Sequence, residues 1–411
     1  MKNKKVWIII SIPFIVIILI GGGILYLNST FTPPVSTHYI FPVQINSIGA
    51  GDGFSMAITD DGTLWTWGVH RALERSRIRT SGIPHPTNIM DNAAYVAGSN
   101  TIIPFGSYQS AAITTDGDLW ILGVYRVGYN AYRTFSTPTR IMRNAVAVST
   151  GASHMMTITS DGTLWGWGNN RRGQLGDGTT INRDMPVQIG TSTDWISVTA
   201  QDLHTIALKN DGSLWAWGVN HRGQFGDNRT IGYEYAILSP VSININTTWI
   251  SVDTSSFHTV ALCDNGSIWA WGSNLSGELG NSTTTNSGTP VQVGNSTDWV
   301  SVAAGNGFTI AQKTDGSLWS WGTNQLGELG NGEGGFHREN SVLSPKQIGT
   351  DTDWASIAVG AHRTIATKLD GSLWTWGWEG RGEGIVIGDS AYGGNRYSPI
   401  KIMADFDCRK E

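Results

Sequence analysis

Short apolar–polar alternations fill this chain from about residue 42 onward, and one such block recurs seven times. It reads DGTLWTWG at Asp61–Gly68, DGDLWILG at Asp116–Gly123, DGTLWGWG at Asp161–Gly168 and DGSLWAWG at Asp211–Gly218. It continues as NGSIWAWG at Asn265–Gly272, DGSLWSWG at Asp315–Gly322 and DGSLWTWG at Asp370–Gly377. Trp215 and Trp217 are two apart, so they share one face of a strand and suit packing between neighbouring units. Asp-Gly between two alternating runs predicts a tight type I′ hairpin, whose central residues both take positive φ. A β-run such as HTIAL at His204–Leu208 precedes the turn, and WISVTA at Trp195–Ala200 precedes that. A fourth run opens on proline at Pro86, Pro138, Pro186, Pro240, Pro290, Pro345 and Pro399. Four short strands per unit is the composition of a propeller blade.

The opening residues of successive blocks lie 45 to 55 positions apart. A period near fifty with strand content means a propeller or solenoid. An eighth proline run, at Pro42–Ile45, leaves one strand spare, and either terminal copy could close the ring. The expected architecture is all-β: a seven-bladed β-propeller over 42–403.

The N-terminal segment has a different pattern. Lys2, Lys4 and Lys5 precede an uncharged, mostly apolar run from Val6 to Leu27. At ~1.5 Å per residue a helix of that length crosses a hydrocarbon core of ~30 Å. The expected layout is a basic cytoplasmic tail (1–5), a transmembrane signal-anchor helix (6–27), a linker (28–41), the propeller and a tail (404–411). The lysines favour a cytoplasmic N-terminus and an extracytoplasmic propeller. Cleavage of the run would instead give a secreted protein, but no Ala-x-Ala site follows it.

Composition narrows the class. The 411 residues include 52 Gly and 19 Trp, with only 14% charged, which suits many short strands joined by glycine turns. A formal net charge of −5 excludes a general nucleic-acid binder. Cys263 and Cys408 match no metal spacing and cannot form a disulfide framework.

The blocks resemble the regulator-of-chromosome-condensation repeat. That family's pattern joins Gly-x-x-His-Thr-x-Ala-Leu, Asp-Gly-x-Leu-Trp-x-Trp-Gly and Asn-x-x-Gly-Gln-Leu-Gly. The clearest copies of the last element are NNRRGQLGDG at Asn169–Gly178 and VNHRGQFGD at Val219–Asp227. SNLSGELGN at Ser273–Asn281 and TNQLGELGN at Thr323–Asn331 follow. The resemblance implies a seven-bladed propeller in agreement with the count. It implies function only weakly, since folds host many functions. The founding member is a nuclear exchange factor for the GTPase Ran. A plant relative senses ultraviolet light through tryptophans in Gly-Trp-Arg-His-Thr motifs. Here Ser153, Leu203 and Phe257 precede His154, His204 and His258, and the sensor tryptophans are absent. A bacterial relative inhibits β-lactamases with loops on one face.

No residue set suggests catalysis, a metal or a cofactor. Seventeen of the tryptophans occupy repeated positions, which marks them as core rather than stacking platforms. His154, His204 and His258 are equivalent positions in three successive blades, so each is expected to make a structural hydrogen bond within its blade. The Asp-Gly turns lack the alternating ligands of a calcium loop, and Gly173–Gly178 lacks the Lys-Ser/Thr of a phosphate loop.

Departures from the repeat carry the site expectation. Blade 1 replaces the Asn-x-x-Gly-Gln-Leu-Gly loop with a stretch bearing Arg71, Arg75, Arg77 and Arg79. Blade 2 replaces it with a loop bearing Tyr125, Arg126, Tyr129, Tyr132 and Arg133. Trp378 breaks the pattern after Gly377. From Val146 onward 16 Lys and Arg face 25 Asp and Glu, so a basic, aromatic sector sits beside an acidic remainder. Arg and Tyr are favoured at interfaces. The reading is a non-catalytic, membrane-anchored protein-interaction module with an acidic partner. A binder of envelope glycan or anionic polymer, and an exchange factor of the founding type, stay open as alternatives.

Overall fold

The computed structural model describes residues 19–20, 23–24, 45–51, 53–68, 83–99, 109–126, 132–229, 235–243, 247–335, 340–378 and 395–402. Seven four-stranded sheets account for nearly all of them, each made of four consecutive antiparallel strands. Blade 4 is typical: Trp195–Gln201, His204–Lys209, Leu214–Gly218 and Ile237–Ile243 pair in that order. The first strands of neighbouring blades touch, so they ring the central axis. The second strand is buried throughout, whereas the fourth carries alternating half-buried and exposed residues. Burial thus peaks in the second strand and falls toward the rim, and the sequence follows it: Ala, Ile and Leu in the second strand, polar and proline-bearing strands at the rim.

The core lies between blades. Trp217 packs with Met156, Ile158 and Leu175 of blade 3, and Trp271 packs with Ile206 and Phe225 of blade 4. Trp67, Trp217, Trp271, Trp321 and Trp376 are all fully buried. A tryptophan hides roughly 200 Å² of surface, worth roughly 5 kcal/mol at ~25 cal/mol per Å². Trp195 meets both Trp215 and Trp217 edge-to-face, at 5.9 and 6.2 Å between centroids.

Ring closure needs no spare strand. Ile45 opens the inner strand of blade 1, opposite Thr59, just as Trp195 opens that of blade 4 opposite Lys209. The proline run at 42–45 therefore ends as the start of an inner strand, not as an eighth outer one; residues 42–44 lie outside the described residues. The strand Arg396–Lys401 completes blade 7 from its own sequence. Blades 7 and 1 close by packing: Ile365, Leu373 and Ile402 share a core with Ile45, Ile48 and Trp67.

The hairpins are not type I′. In blade 4 the N–H of Gly212 bonds to the carbonyl of Lys209, and the N–H of Lys209 to that of Ser213. Only Gly212 has positive φ, at 81°. This is a type I turn followed by a bulge glycine. Aspartate is used as an acceptor: Asp211 Oδ1 takes the Ser213 N–H at 2.9 Å and its hydroxyl at 2.6 Å. The hydroxyl in turn accepts from Trp215 Nε1 at 3.0 Å. These bonds, the hydroxyl's first, hold the Asp211 carboxyl below its usual range.

Of the expected anchor helix, only Leu19–Ile20 and Gly23–Ile24 are described, and they pair as two short antiparallel strands. The glycines at 21–23 disfavour helix and favour a tight turn. Among the described residues no helix is long and apolar enough to cross a membrane. The rest of 6–27 lies outside them.

Candidate functional site

In blades 3 to 6 the stretch after the third strand locks onto the next blade. Asn170 organises it: Oδ1 accepts from the Leu175 N–H at 2.9 Å, and Nδ2 donates to Asp177 at 2.8 Å. This aims the Gln174 carbonyl at blade 4. Trp217 Nε1 and Thr205 Oγ1 both donate to it, at 2.9 and 2.8 Å. Gly176 has to be glycine, since a Cβ there would sit 2.7 Å from the Trp217 nitrogen. The same latch joins Trp271 to Gln224 (2.8 Å), Trp321 to Glu278 (2.9 Å) and Trp376 to Glu328 (3.0 Å).

The histidines belong to this network, and each reaches across to the next blade; His258 alone also makes the expected contact within its own blade, its Nδ1 lying 2.7 Å from Ser255 Oγ. His154 Nε2 lies 2.9 Å from Thr205 Oγ1 of blade 4. That hydroxyl donates to Gln174, so it accepts from the imidazole and fixes the Nε2–H tautomer. His204 meets Thr254 at 3.0 Å, and His258 meets Thr309 at 3.1 Å. Burial pushes all three down to about 3, so they are neutral. Arg363, at the same repeat position, donates to the Gly51 carbonyl across the seam at 3.1 Å.

Blades 1, 2 and 7 lack the Gly-Gln-Leu-Gly element, and ring closure makes them neighbours. Arg71, Arg75, Arg77, Arg79 and Tyr129 lie outside the described residues, as does the stretch 379–394 of blade 7. Trp378 is half-buried. Its N–H bonds to the His362 carbonyl at 2.9 Å, and its ring meets His362 edge-on at 6.3 Å.

Blade 2 corrects the expectation of a loop. Its third and fourth strands run on as Leu119–Arg126 and Tyr132–Met142, with Arg126 opposite Tyr132 and Tyr125 opposite Arg133. The β-branched and aromatic residues there favour pairing, and the loop-organising Asn is missing. Tyr125 is not a surface contact. It is 5% exposed, its hydroxyl donates to the Ser110 carbonyl at 2.9 Å, and its ring meets Phe135 edge-on. Alternation explains this, since Tyr125 falls on the inward face. Tyr132 is exposed, and half-exposed Arg133 pairs with Asp184 of blade 3 at 3.1 Å.

Between blades 2 and 3 the missing latch leaves a cavity of about 250 Å³, lined by Ile121, Tyr125, Phe135, Met155, Trp167 and Gln109, among others. Trp167 Nε1 and Gln109 Oε1 are buried without hydrogen-bond partners. Sequence reasoning did not single out either residue. The signal was available: blade 3 keeps its second tryptophan although blade 2 has no loop to receive it. Among the described residues no cluster of His, Cys, Asp or Glu could hold a metal.

Comparison with known proteins bears on the whole ring. Residues 99–406 match the family described as RCC1-like domain, and residues 45–69 match the regulator of chromosome condensation (RCC1) repeat. The human E3 ubiquitin-protein ligase HERC2 is 31% identical over 140 residues, 32% of this chain and 3% of that protein. The Arabidopsis thaliana mitochondrial RCC1 domain-containing protein RUG3 is 31% identical over 162 residues, 37% of this chain and 35% of its own length. The chain thus spans a minor part of these curated relatives. The fold matches Prp20p from Saccharomyces cerevisiae with a TM-score of 0.67 at 20% identity, covering 80% of this chain and 84% of that one. Human WBSCR16 matches with a TM-score of 0.67 at 18% identity, covering 80% and 87%. Seven blades, their repeated Trp-x-Trp strands and a family match over three quarters of the sequence agree: this chain belongs to the RCC1-like family of β-propellers.

Proposed function

We propose that this protein is a non-catalytic, membrane-anchored interaction module whose propeller faces outside the cytoplasm and binds an acidic protein through the sector of blades 7, 1 and 2. One observation carries the reading. The stretch after the third strand is committed to locking the ring in blades 3 to 6, and the three contiguous blades 7, 1 and 2 lack its Gly-Gln-Leu-Gly sequence. In two of those blades it carries Arg71, Arg75, Arg77, Arg79, Arg126 and Arg133. Loops on a rigid scaffold are where binding residues concentrate. Yeast Prp20p, of similar fold, is described with binding properties to Gsp1p and histones, so proteins are the partner class to test first. The anchor rests on the apolar run Val6–Leu27 behind three lysines.

The test is crosslinking capture from intact cells, with a control carrying Glu at Arg75, Arg77, Arg126 and Arg133. A protein captured by the wild type and lost from the control is the expected result. Capture of none, or equal capture by both, overturns the assignment. Protease added outside intact cells is expected to degrade the propeller; protection would overturn the outward topology.

A further inference from the structure

The cleft between blades 2 and 3 differs from the four junctions that join blades 3 to 7; its unpaired tryptophan has a counterpart at the junction of blades 7 and 1, where Trp67 Nε1 is also buried without a partner. From blade 3 onward the corresponding space holds the preceding blade's own Leu175, Phe225, Leu279 or Leu329, each fully buried. The carbonyl just before that side chain receives the tryptophan indole of the next blade. Between blades 2 and 3 the tryptophan is present as Trp167, but no carbonyl meets it, and the cavity of about 250 Å³ lies beside it.

The junction of blades 1 and 2 shows that the chain has another solution. Blade 1 also lacks the loop. There the second tryptophan of blade 2 is replaced by Leu122, which needs no acceptor. A buried donor left unpaired costs about 1–3 kcal/mol. Blade 3 carries that cost where leucine would avoid it. The His–Thr pair is altered as well. Gln109 stands at the histidine position and Met155 at the threonine position, which leaves Gln109 Oε1 without a donor. One donor and one acceptor, both buried, thus flank an apolar space. The rim adds exposed Tyr132 and Met185, and the half-exposed pair Arg133–Asp184. Aromatic, Met and Arg side chains suit an interface, and an exposed ion pair rearranges at a cost of about 0–1 kcal/mol.

We propose that this cleft binds an extended peptide segment of another protein, seated as the blades' own Gly-Gln-Leu-Gly stretches are seated. A backbone carbonyl of the segment meets Trp167 Nε1, a peptide N–H meets Gln109 Oε1, and a leucine- or phenylalanine-sized side chain fills the cavity. The inference rests on the reading of the chain as a protein-binding propeller and names the chemistry its partner presents.

The probe is a synthetic peptide with the sequence of residues 169–178, NNRRGQLGDG, titrated calorimetrically into the 411-residue chain. One saturable site is expected. Replacing the peptide's leucine by alanine should weaken binding at least tenfold. Trp167→Leu, which copies Leu122, should weaken it by at least as much while the urea midpoint holds. Gln109→Met is a second variant that removes the Gln109 amide, acceptor included, while keeping Trp167, and should weaken binding several-fold. Absence of binding at millimolar peptide overturns the proposal. So does equal affinity for the leucine and alanine peptides, or for wild type and Trp167→Leu. Capture from cells is run in parallel with Trp167→Leu. A partner lost with the four arginine reversals but kept by Trp167→Leu leaves the interaction reading standing and sinks the cleft. No partner for the wild type sinks the interaction reading itself.

Discussion

Trp217 and Gln174 belong to different blades, yet the indole nitrogen of one lies 2.9 Å from the carbonyl oxygen of the other. Repeated at four junctions, this bond makes each blade's hydrogen bonding depend on its neighbour. Stability is then cooperative between nearest neighbours, as in other repeat proteins.

The latch can be weighed by removing only its donor. Trp217→Phe keeps an aromatic ring but leaves a hydrogen bond unmade, and should cost about 1–3 kcal/mol in urea unfolding. Trp167→Phe removes a donor that has no partner and should be neutral or slightly stabilising. Equal losses would show that the ring volume, not the bond, governs both sites.

Stability should fall in mild acid, and the histidines supply a measurable part of the fall. Unfolded, each imidazole titrates near 6.5; folded, His204 is pushed down to about 3. Between those values the unfolded chain binds more protons, so stability is lost as pH falls through that window, by about 1.4 kcal/mol per unit per group. Asp253, pushed up to about 6 by burial, works in the opposite direction between about 3.8 and 6. The difference between variants isolates the histidine. His204→Gln, which places the residue found at Gln109, should flatten the slope of unfolding free energy between pH 6.5 and 4 by about one proton. An unchanged slope would mean that His204 is protonated when folded.

The hairpin glycines should tolerate no side chain. At Gly316, where φ is 81°, a Cβ would lie 2.1 Å from the Thr352 carbonyl oxygen. Gly316→Ala should cost about 2 kcal/mol or more through strain and displacement together. Asp315→Asn should be nearly silent, because Asn265 fills the same role in blade 5. Asp315→Ala should cost about 1 kcal/mol through its lost acceptor. Thermal midpoints of the three variants test this ordering.

Lys313 tests the foot of the blade. Its ammonium sits 4.8 Å from the ring centroids of both Trp299 and Trp319 and 3.2 Å from Asp298. Lys313→Met keeps the stem and loses the charge. It should cost about 1 kcal/mol in low salt, and less in molar salt if the ion pair dominates.

Repeat count, strand order and buried tryptophans were legible in the sequence because a repeated apolar position is a core position whatever the blade. Turn type was not legible. Asp-Gly is compatible with two turns, and the choice depends on the acceptor role of Asp211, which only geometry displays. The histidines were legible only in part for a related reason: equivalent positions suggest contacts inside each unit, which His258 makes with Ser255, whereas a ring also places the next unit within reach. Tyr125 read as a surface residue because its segment looked like a degenerate loop. Pairing with Arg133 turns the segment into strand, and alternation sends the ring inward. The cleft was hidden because a cavity is written as something missing, a leucine in blade 2, while its sign, Trp167, looks like every other tryptophan.

The seam offers a different consequence. Ile45 and Ile402 stand in one apolar cluster although they lie at opposite ends of the propeller sequence. Each blade is complete in its own stretch of chain, and no strand is traded across the join. The ring therefore has no obligatory beginning. A gene rearranged to link residue 402 to residue 45 through a short glycine spacer, and opened between any two other blades, encodes the same wheel.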